Sequence, residues 1–458
     1  MEDHTQSVAI ENGKQSAINE GGVLLLLGIT IILVIMNTTM FNLALPVIQE
    51  EFILSASLAS WIVTGYSIVF AISSITYSRL ADFVPIRRLF VIGILSLSLA
   101  SFLGLFSNSF IVLLMVRILQ ASGAGSVLSL ALVLLSRYVP LERRGKAMAM
   151  IMSSLSLGLG IGPVLGGAIV NYLGWKILFI VTAVTLLLVP LYLLLFPKEK
   201  AKKGSFDLLG ASLISIGTTG LLLFLTNHSW IVLLIGLLAI YLFVLRIRTA
   251  KDPFVLPALF GNRSYLVLGF IGVAAYLCSF ATLFLMPQIL IKQYSLSVIQ
   301  AGFVIFPGSL LAIFVSRKVG GFIDARGNSA ILRIFPLVLL SSVILFALFE
   351  GTSYLSILFI YMIMSMSFTT LSSSISNEMS RILPPSQVGS GMGLYQLLQF
   401  FSGAFGVAIT AAVMVLQKDL PLASAYSNIY WGLTAVALIA ILCSVVYLRN
   451  AFRDPQTT

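Results

Sequence analysis

Long apolar segments recur along this chain and constrain its fold more than any other feature. A helix needs roughly 20 mostly apolar residues to cross a bilayer, and the chain contains fourteen such segments. Of its 458 residues, 59% are hydrophobic and only 9% are charged, whereas soluble proteins carry about 25% charged residues. So few charges cannot cover a water-facing surface of this size. The sequence therefore predicts an all-α, multi-pass membrane protein.

The predicted spans cover most of the chain and leave no loop long enough for a soluble domain. They lie near 22–45, 58–80, 88–107, 110–136, 145–172, 175–196, 207–226, 229–247, 264–287, 298–320, 330–349, 353–376, 389–416 and 426–448.

Lysine and arginine set the predicted orientation, because they accumulate on the cytoplasmic side of membrane proteins. With the N-terminus inside, all but four of the 27 basic residues fall at the inner side. The exceptions are Lys176, Lys292 and Lys418 outside, and Arg117 within a span. Both termini are therefore predicted to be cytoplasmic. The net charge of +11 is explained by orientation and requires no nucleic-acid partner.

Two halves of the chain resemble each other, as is typical of transporters. Asp82 follows the second span and Asp324 follows the tenth, each beside arginines. We therefore predict two six-helix bundles with an inserted helix pair between them. The predicted parts are a polar tail (1–21), the first bundle (22–196), a linker with the inserted pair (197–250), the second bundle (251–448) and a second tail (449–458).

Arg117 is the one basic residue predicted to lie well inside a span. A charge at that depth is costly and is normally paired or faces a functional cavity. We expect a coupling or orienting role, and the alternative is an arginine that bonds backbone carbonyls and holds a kinked helix.

The fifth span carries a run of glycines with one proline. Glycines let helices approach closely, and a proline bends a helix. The run predicts a tight interface that slides or hinges between the bundles, and ordinary small-residue packing is the alternative. Its residues are Gly158, Gly160, Gly162, Pro163, Gly166 and Gly167.

Charged residues near the inner ends of spans predict a gate. Asp82 lies close to Arg87 and Arg88, and it could also receive a helix N-terminus, where a carboxylate is favoured. Asp324 with Arg326 could act likewise in the second half. A solvated cluster that only sets topology is the alternative for both.

Uncharged polar residues within spans are candidates for substrate binding. They could also bond helix to helix. None of the 16 carboxylates is predicted at mid-membrane, and Glu378 comes nearest, at the inner end of the twelfth span. The uncharged candidates are Asn37, Thr38, Asn42, Gln120, Gln396 and Gln399.

Enzyme signatures are missing from the sequence. It has no G-x-S-x-G elbow, no Walker loop and no H-E-x-x-H helix. Cys278 and Cys443 both lie in apolar runs and suggest neither a disulfide framework nor a metal site. Without an ATP site, ion-coupled or facilitated transport remains, and no bound cofactor or resident metal is expected.

Several motifs resemble the major facilitator superfamily over nearly the whole chain. Within it the chain is most similar to the fourteen-helix drug:proton antiporters, and above all to Gram-positive tetracycline-efflux proteins. The matching segments are Asn42–Pro46, the loop from Ser78 through Asp82 to Arg88, Arg117–Gln120, the exporter-specific run Gly158–Gly167, Phe206–Gly210, Asp252–Phe254, Phe306–Gly308 and Gly389–Met392.

The resemblance implies the fold and export more than it implies the substrate. Glutamates that similar tetracycline exporters carry inside the membrane fall here on Thr38, Leu159 and Gly403. In that family these acids are implicated in handling a metal–tetracycline complex and its coupling ions.

The sequence thus predicts an exporter in the cytoplasmic membrane of a bacterium. We expect a monomer that moves a hydrophobic antimicrobial, such as a tetracycline or several drugs, in exchange for protons, with a divalent metal carried along if the substrate binds one. Two alternatives stay open: a lipid, glycolipid or peptide-product translocator with weak or no proton coupling, and a sensor that has kept the fold.

Overall fold

The computed structural model describes residues 19–54, 56–201, 204–227, 229–385, 387–417 and 419–453. Every long element in these ranges is a helix. The helices are α1 Glu20–Glu51, α2 Ala56–Leu80, α3 Ile86–Gly104, α4 Phe110–Tyr138, α5 Leu141–Leu173, α6 Trp175–Leu195, α7 Leu208–Asn227, α8 Trp230–Thr249, α9 Arg263–Gln288, α10 Val298–Arg326, α11 Ser329–Phe349, α12 Tyr354–Ile382, α13 Val388–Leu416 and α14 Leu422–Arg453.

These helices coincide with the predicted spans. Twelve helical segments in the described part of the chain are long and apolar enough to cross a membrane. Within α7 and α10 the apolar stretches are shorter, Leu208–Phe224 and Ile299–Leu311. The predicted all-α class is confirmed, while a count of fourteen crossings stays a prediction for these two helices.

Helix ends follow local sequence signals. Ser109 and Ser353 accept backbone N–H groups at the starts of α4 and α12, and Ser297 forms a capping box with Gln300 before α10. Such contacts satisfy donors that have no partner within the helix. After α5 the chain turns at Gly174 with φ of 84°, a conformation that glycine adopts readily.

The helices pack as two groups. In the first half α1 packs on α5, and α4 packs on α2 and α3. In the second half α9 packs on α12, α13 and α14, while α10 and α11 pack on α12. The pair α7–α8 packs on itself and touches α2 and α13.

Asp207 fixes the ends of the α7–α8 pair. Its carboxylate accepts hydrogen bonds from Arg246 Nε at 3.1 Å and from the backbone N–H of Phe254 at 3.3 Å. The segments around Phe206 and Asp252, which are far apart in sequence, are thereby held together.

Two helix pairs form most of the contact between the halves. One is α5 with α10, and the other is α2 with α13, with α12 also packing against α5. A site between the two halves would therefore be lined by these five helices.

Candidate functional site

Helices α5 and α10 meet through glycines on both sides. A Cβ on Gly160 would collide with the side chain of Ser309, and a Cβ on Gly302 would lie 2.7 Å from Val164 Cγ2. The end of the molecule predicted to be cytoplasmic, where most lysines and arginines lie, is called the basic end below. Towards it, a Cβ on Gly320 would collide with the backbone of Lys146. Only a residue without a side chain allows this approach of the two bundles.

Three other glycines of the α5 run face α1 of the same bundle. Cβ atoms on Gly158, Gly162 and Gly166 would meet Ile35, Thr39 and Met40 of α1. These three positions, spaced by four residues, therefore tighten the first bundle, and Gly160 lies on the face towards the second. Pro163 lies within the helix, and Gly167 is buried.

Arg117 lies fully buried at the centre of the first bundle. Its Cζ is 4.0 Å from the ring centroids of both Phe41 and Tyr66. Nη1 donates to Gln120 Oε1 at 2.8 Å and to Asn37 Oδ1 at 3.4 Å. All these contacts are to neutral groups, and Arg117 belongs to none of the ion pairs found among the described residues.

A buried polar cluster occupies the facing part of the second bundle. Both amide atoms of Gln396 are buried without a hydrogen-bond partner in the structure, while Tyr395 interacts with Gln399 and Tyr276 with Ser372. Buried polar groups are normally satisfied. A concentration of buried, uncharged polar groups that includes an unsatisfied amide is therefore typical of a place where a ligand or water binds.

Aromatic rings connect the two polar regions. Tyr66 stacks on Phe70, and Phe70 meets Phe400 of the other bundle with centroids 4.5 Å apart. Phe400 in turn contacts Tyr276, which packs on Phe368. The rings form a path from Arg117 across the interface.

A small cavity lies beside this path, between α5, α9 and α12. Close by, Ser156 of α5 shares a hydrogen bond of 2.7 Å with Thr369 of α12. The cavity is lined by Ser156, Leu159, Ser279, Leu283, Tyr361, Ser365 and Phe368.

Asp82 joins several elements at the basic end of the molecule. Its carboxylate pairs with Arg79 at 2.7 Å and with Arg137 at 2.9 Å. A Cβ on Gly389, at the start of α13, would collide with Asp82 Oδ1. The carboxylate thus lies against a helix N-terminus, where negative charge is favoured. Among the described residues, the ion pairs of Asp82 are with Arg79 and Arg137 and not with Arg87 or Arg88, which lie closer to it in sequence than Arg137 does.

A second contact at this end crosses the bundles and was missed by the sequence analysis. Arg144 Nη1 donates to Ser380 Oγ at 3.2 Å, while its Nε donates to Val139 O at 3.2 Å. Arg144 is nearly buried. In the sequence it stands in a basic run that looks like a topology signal.

These features match one large family of membrane proteins. The family model described as Major Facilitator Superfamily matches residues 27–407. The chain belongs to the Major Facilitator Superfamily.

Two relatives with different named functions are similar to this chain over most of its length. The riboflavin transporter RibZ of Clostridioides difficile (strain 630) is 28% identical over 444 residues, covering 93% of this chain and 97% of RibZ. The lincomycin resistance protein LmrB of Listeria innocua is 25% identical over 432 residues, covering 91% and 89%.

Two solved structures of superfamily members share the fold. The human organic anion transporter MFSD10 (TETRAN) superposes with a TM-score of 0.67 at 16% identity, covering 92% of this chain and 99% of that one. The proton:xylose symporter XylE gives 0.67 at 14% identity, covering 92% and 94%. The chain is a multi-pass membrane transporter and not an enzyme.

The remaining predicted site residues are Thr38, Asn42, Asp324 and Arg326. Thr38 donates to Val34 O of its own helix at 3.3 Å and also interacts with the hydroxyl of Tyr66, beside Arg117. The side chains of Asn42, Asp324 and Arg326 lie outside the described part of the structure, so their predicted roles stay predictions.

Two carboxylates that the sequence did not predict to be buried, Glu378 and Glu350, are buried in the structure. Glu378, near the basic end, accepts hydrogen bonds from Asn328 of the α11 start and Tyr447 of α14, and lies 3.6 Å from Arg381. Glu378 therefore lies near the end of α12, as the sequence predicts, and is buried there. At the opposite end of α11, burial raises the pKa of Glu350 to about 7.

Proposed function

We propose that this protein is a secondary active exporter that moves a hydrophobic antimicrobial across the cytoplasmic membrane of a bacterium. The observation that carries the proposal is the buried, uncharged cluster of Gln396, Gln399, Tyr276 and Tyr395 at a glycine-lined contact between two bundles. Such a cluster offers adaptable hydrogen bonds, and its aromatic neighbours offer apolar surface.

We propose that the site opens to the two sides of the membrane in turn, by breaking and re-forming contacts between the bundles. The basic end is held by Asp82 against the start of α13 and by Arg144 against Ser380. Substrate from the cytoplasm reaches the cluster only when these contacts break. In the proposed cycle, α5 and α10 rock on each other at Gly160 and Gly302.

Proton exchange is proposed as the energy source. Three described carboxylates are buried, and all lie towards the ends of helices: Glu378 near the basic end, Glu350 at the other end, and Asp207 beside the start of α7, where it is paired with Arg246. A carboxyl group that is buried in one state and exposed in another can carry a proton. Glu378, Asp82 and Glu350 are the groups to test.

The more specific likeness to fourteen-helix tetracycline exporters stays a prediction. Among the described residues, no group of three His, Cys, Asp or Glu side chains could hold a metal ion. A divalent metal would therefore arrive with the substrate. LmrB, named for lincomycin resistance, supports drug export in general.

Transport of a planar vitamin is a second candidate. RibZ is named as a riboflavin transporter and aligns with 93% of this chain. The aromatic path from Tyr66 through Phe400 to Tyr276 would stack on a flat ring system. A lipid, glycolipid or peptide-product translocator remains an alternative.

Everted membrane vesicles separate these candidates. Vesicles from cells that express the protein would be energised and given radiolabelled lincomycin, riboflavin, or tetracycline with and without Mg²⁺. We expect energy-dependent accumulation of an antimicrobial. Accumulation of riboflavin alone would support the vitamin candidate, and accumulation of none of them would contradict both.

A further inference from the structure

The buried guanidinium of Arg117 has an unused edge. Aromatic rings cover the guanidinium plane, because the ring centroids of Phe41 and Tyr66 each lie 4.0 Å from its Cζ. Its Nη1 is engaged by Asn37 and Gln120. Nε and Nη2 are buried and have no hydrogen-bond partner in the structure.

The chemistry of the unused edge is specific. Nε–H and one Nη2–H lie parallel in the guanidinium plane, and this fork matches the two oxygens of a carboxylate or phosphate. Asn37, which accepts from Nη1, also interacts with the hydroxyl of Tyr66. Two guanidinium donor atoms, Nε and Nη2, are therefore left without acceptors.

No carboxylate among the described residues pairs with Arg117. Arg117 is 0% exposed, and the ion pairs among the described residues involve other arginines. A buried, unpaired charge is unfavourable unless something neutralises it. The contacts from Gln120 to Ser101 at 2.6 Å and from Arg117 to Gln120 hold the fork in place.

We propose that the Nε/Nη2 edge of Arg117 binds the anionic group of an aromatic substrate. The claim rests on the proposed transport function and narrows its substrate class to aromatic carboxylates or phosphates. Phe41 and Tyr66 flank the charge, and Tyr66 begins the aromatic path to the second bundle. A ligand with an acidic end would pair with this edge, and a flat ring on the same ligand would contact the neighbouring aromatic side chains.

Equilibrium binding tests the inference without transport. The purified full chain in phosphatidylcholine nanodiscs would be titrated with benzoate, with its neutral isostere benzamide, and with chloride. Apparent affinities would come from the concentration dependence of the unfolding temperature. We expect benzoate to bind about tenfold or more tightly than benzamide, as a charge-assisted hydrogen bond is worth about one decade in affinity.

Variants attribute the preference to the guanidinium. Arg117→Gln removes the charge and should abolish the preference for benzoate. Arg117→Lys keeps the charge but lacks the fork, so benzoate affinity should fall even if the Gln variant does not fold. Arg88→Gln alters an exposed arginine and should bind benzoate as the wild type does.

Three results would overturn the inference. Equal affinities for benzoate and benzamide would remove the anion site, and a benzoate preference that survives in both Arg117 variants would place it elsewhere. Chloride binding that depends on Arg117, without benzoate binding, would assign a resident inorganic ion in place of the substrate group. Benzoate binding as expected in a protein without transport would overturn only the proposed function.

Discussion

Gly160 occupies a position where any side chain would collide with the opposite bundle. A Cβ there meets Ser309 of α10, and overpacking of this kind costs about 1–3 kcal/mol. We expect Gly160→Ala to lower the unfolding temperature and to slow transport. Thermal unfolding of purified protein and substrate flux in vesicles are the measurements.

A compensating change makes this prediction sharper. Ser309→Gly removes the atoms that the new Cβ would strike, so the double variant should recover much of the lost stability through coupling between neighbours. Gly321→Ala on α10 is the control, since nothing lies within 4 Å of its Cβ position. Equal effects of the single and the double variant would contradict close packing at Gly160.

Glu350 should make stability depend on pH. Burial raises the pKa of Glu350 to about 7, above the value of about 4.3 for an exposed glutamate. The folded protein therefore binds the proton more tightly than the unfolded chain does. The stabilising contribution is complete below the unfolded pKa and is lost as the pH rises through about 7.

The pH prediction is checked by unfolding temperatures measured from about pH 5 to about pH 8. Wild-type protein should lose stability over this range, and Glu350→Gln should lose less. Glu142→Gln, at an exposed position, should follow the wild type. Identical pH profiles for wild type and Glu350→Gln would show that Glu350 does not titrate in this range.

At the scale of elements, we propose that the contact between the α2 end and the start of α13 holds the basic end closed. Asp82 pairs with Arg79 and Arg137 and lies against Gly389. Asp82→Asn removes the negative charge that holds these groups. We expect the variant to shift towards conformations that are open at the basic end.

Spin labels can report this opening. Cysteines at Arg88 and Arg333, both exposed near the basic end, would carry the labels after Cys278 and Cys443 are replaced by serine. The distance distribution should gain a longer component in Asp82→Asn. Asp419→Asn, exposed elsewhere, is the control, and an unchanged distribution in Asp82→Asn would rule out a latch.

Element boundaries could be predicted from the sequence because crossing a bilayer requires a fixed length of apolar helix. The partners of each element could not. Arg87 and Arg88 are near Asp82 in sequence, yet Arg137 of α4 reaches it by packing of α2 on α4.

The same limit applies to Arg117 and Glu378. Hydropathy alone predicts that Arg117 lies within a span. The aromatic rings that pack on its guanidinium come from two other helices, Phe41 of α1 and Tyr66 of α2. Glu378 is at a helix end, and its burial depends on Asn328 and Tyr447 from two other helices.

At the scale of the whole molecule, two bundles pack on each other through glycines and share a buried aromatic and polar centre. Length, composition and motif spacing were sufficient to predict the all-α membrane fold, whereas the division into two six-helix bundles with an inserted pair stays a prediction. The substrate was not predictable, because its recognition depends on side chains that converge from α1, α2, α4, α9 and α13.

Substrate-dependent proton movement is the most direct test of the account. Purified protein would be reconstituted in liposomes that enclose a pH-sensitive dye, a proton gradient would be imposed, and lincomycin, riboflavin, tetracycline with and without Mg²⁺, and benzoate would be added one at a time. We predict that at least one of them drives proton flux, and that Glu378→Gln, Asp82→Asn or Glu350→Gln lowers it. Substrate movement without any proton flux would contradict the antiport mechanism and favour a translocator.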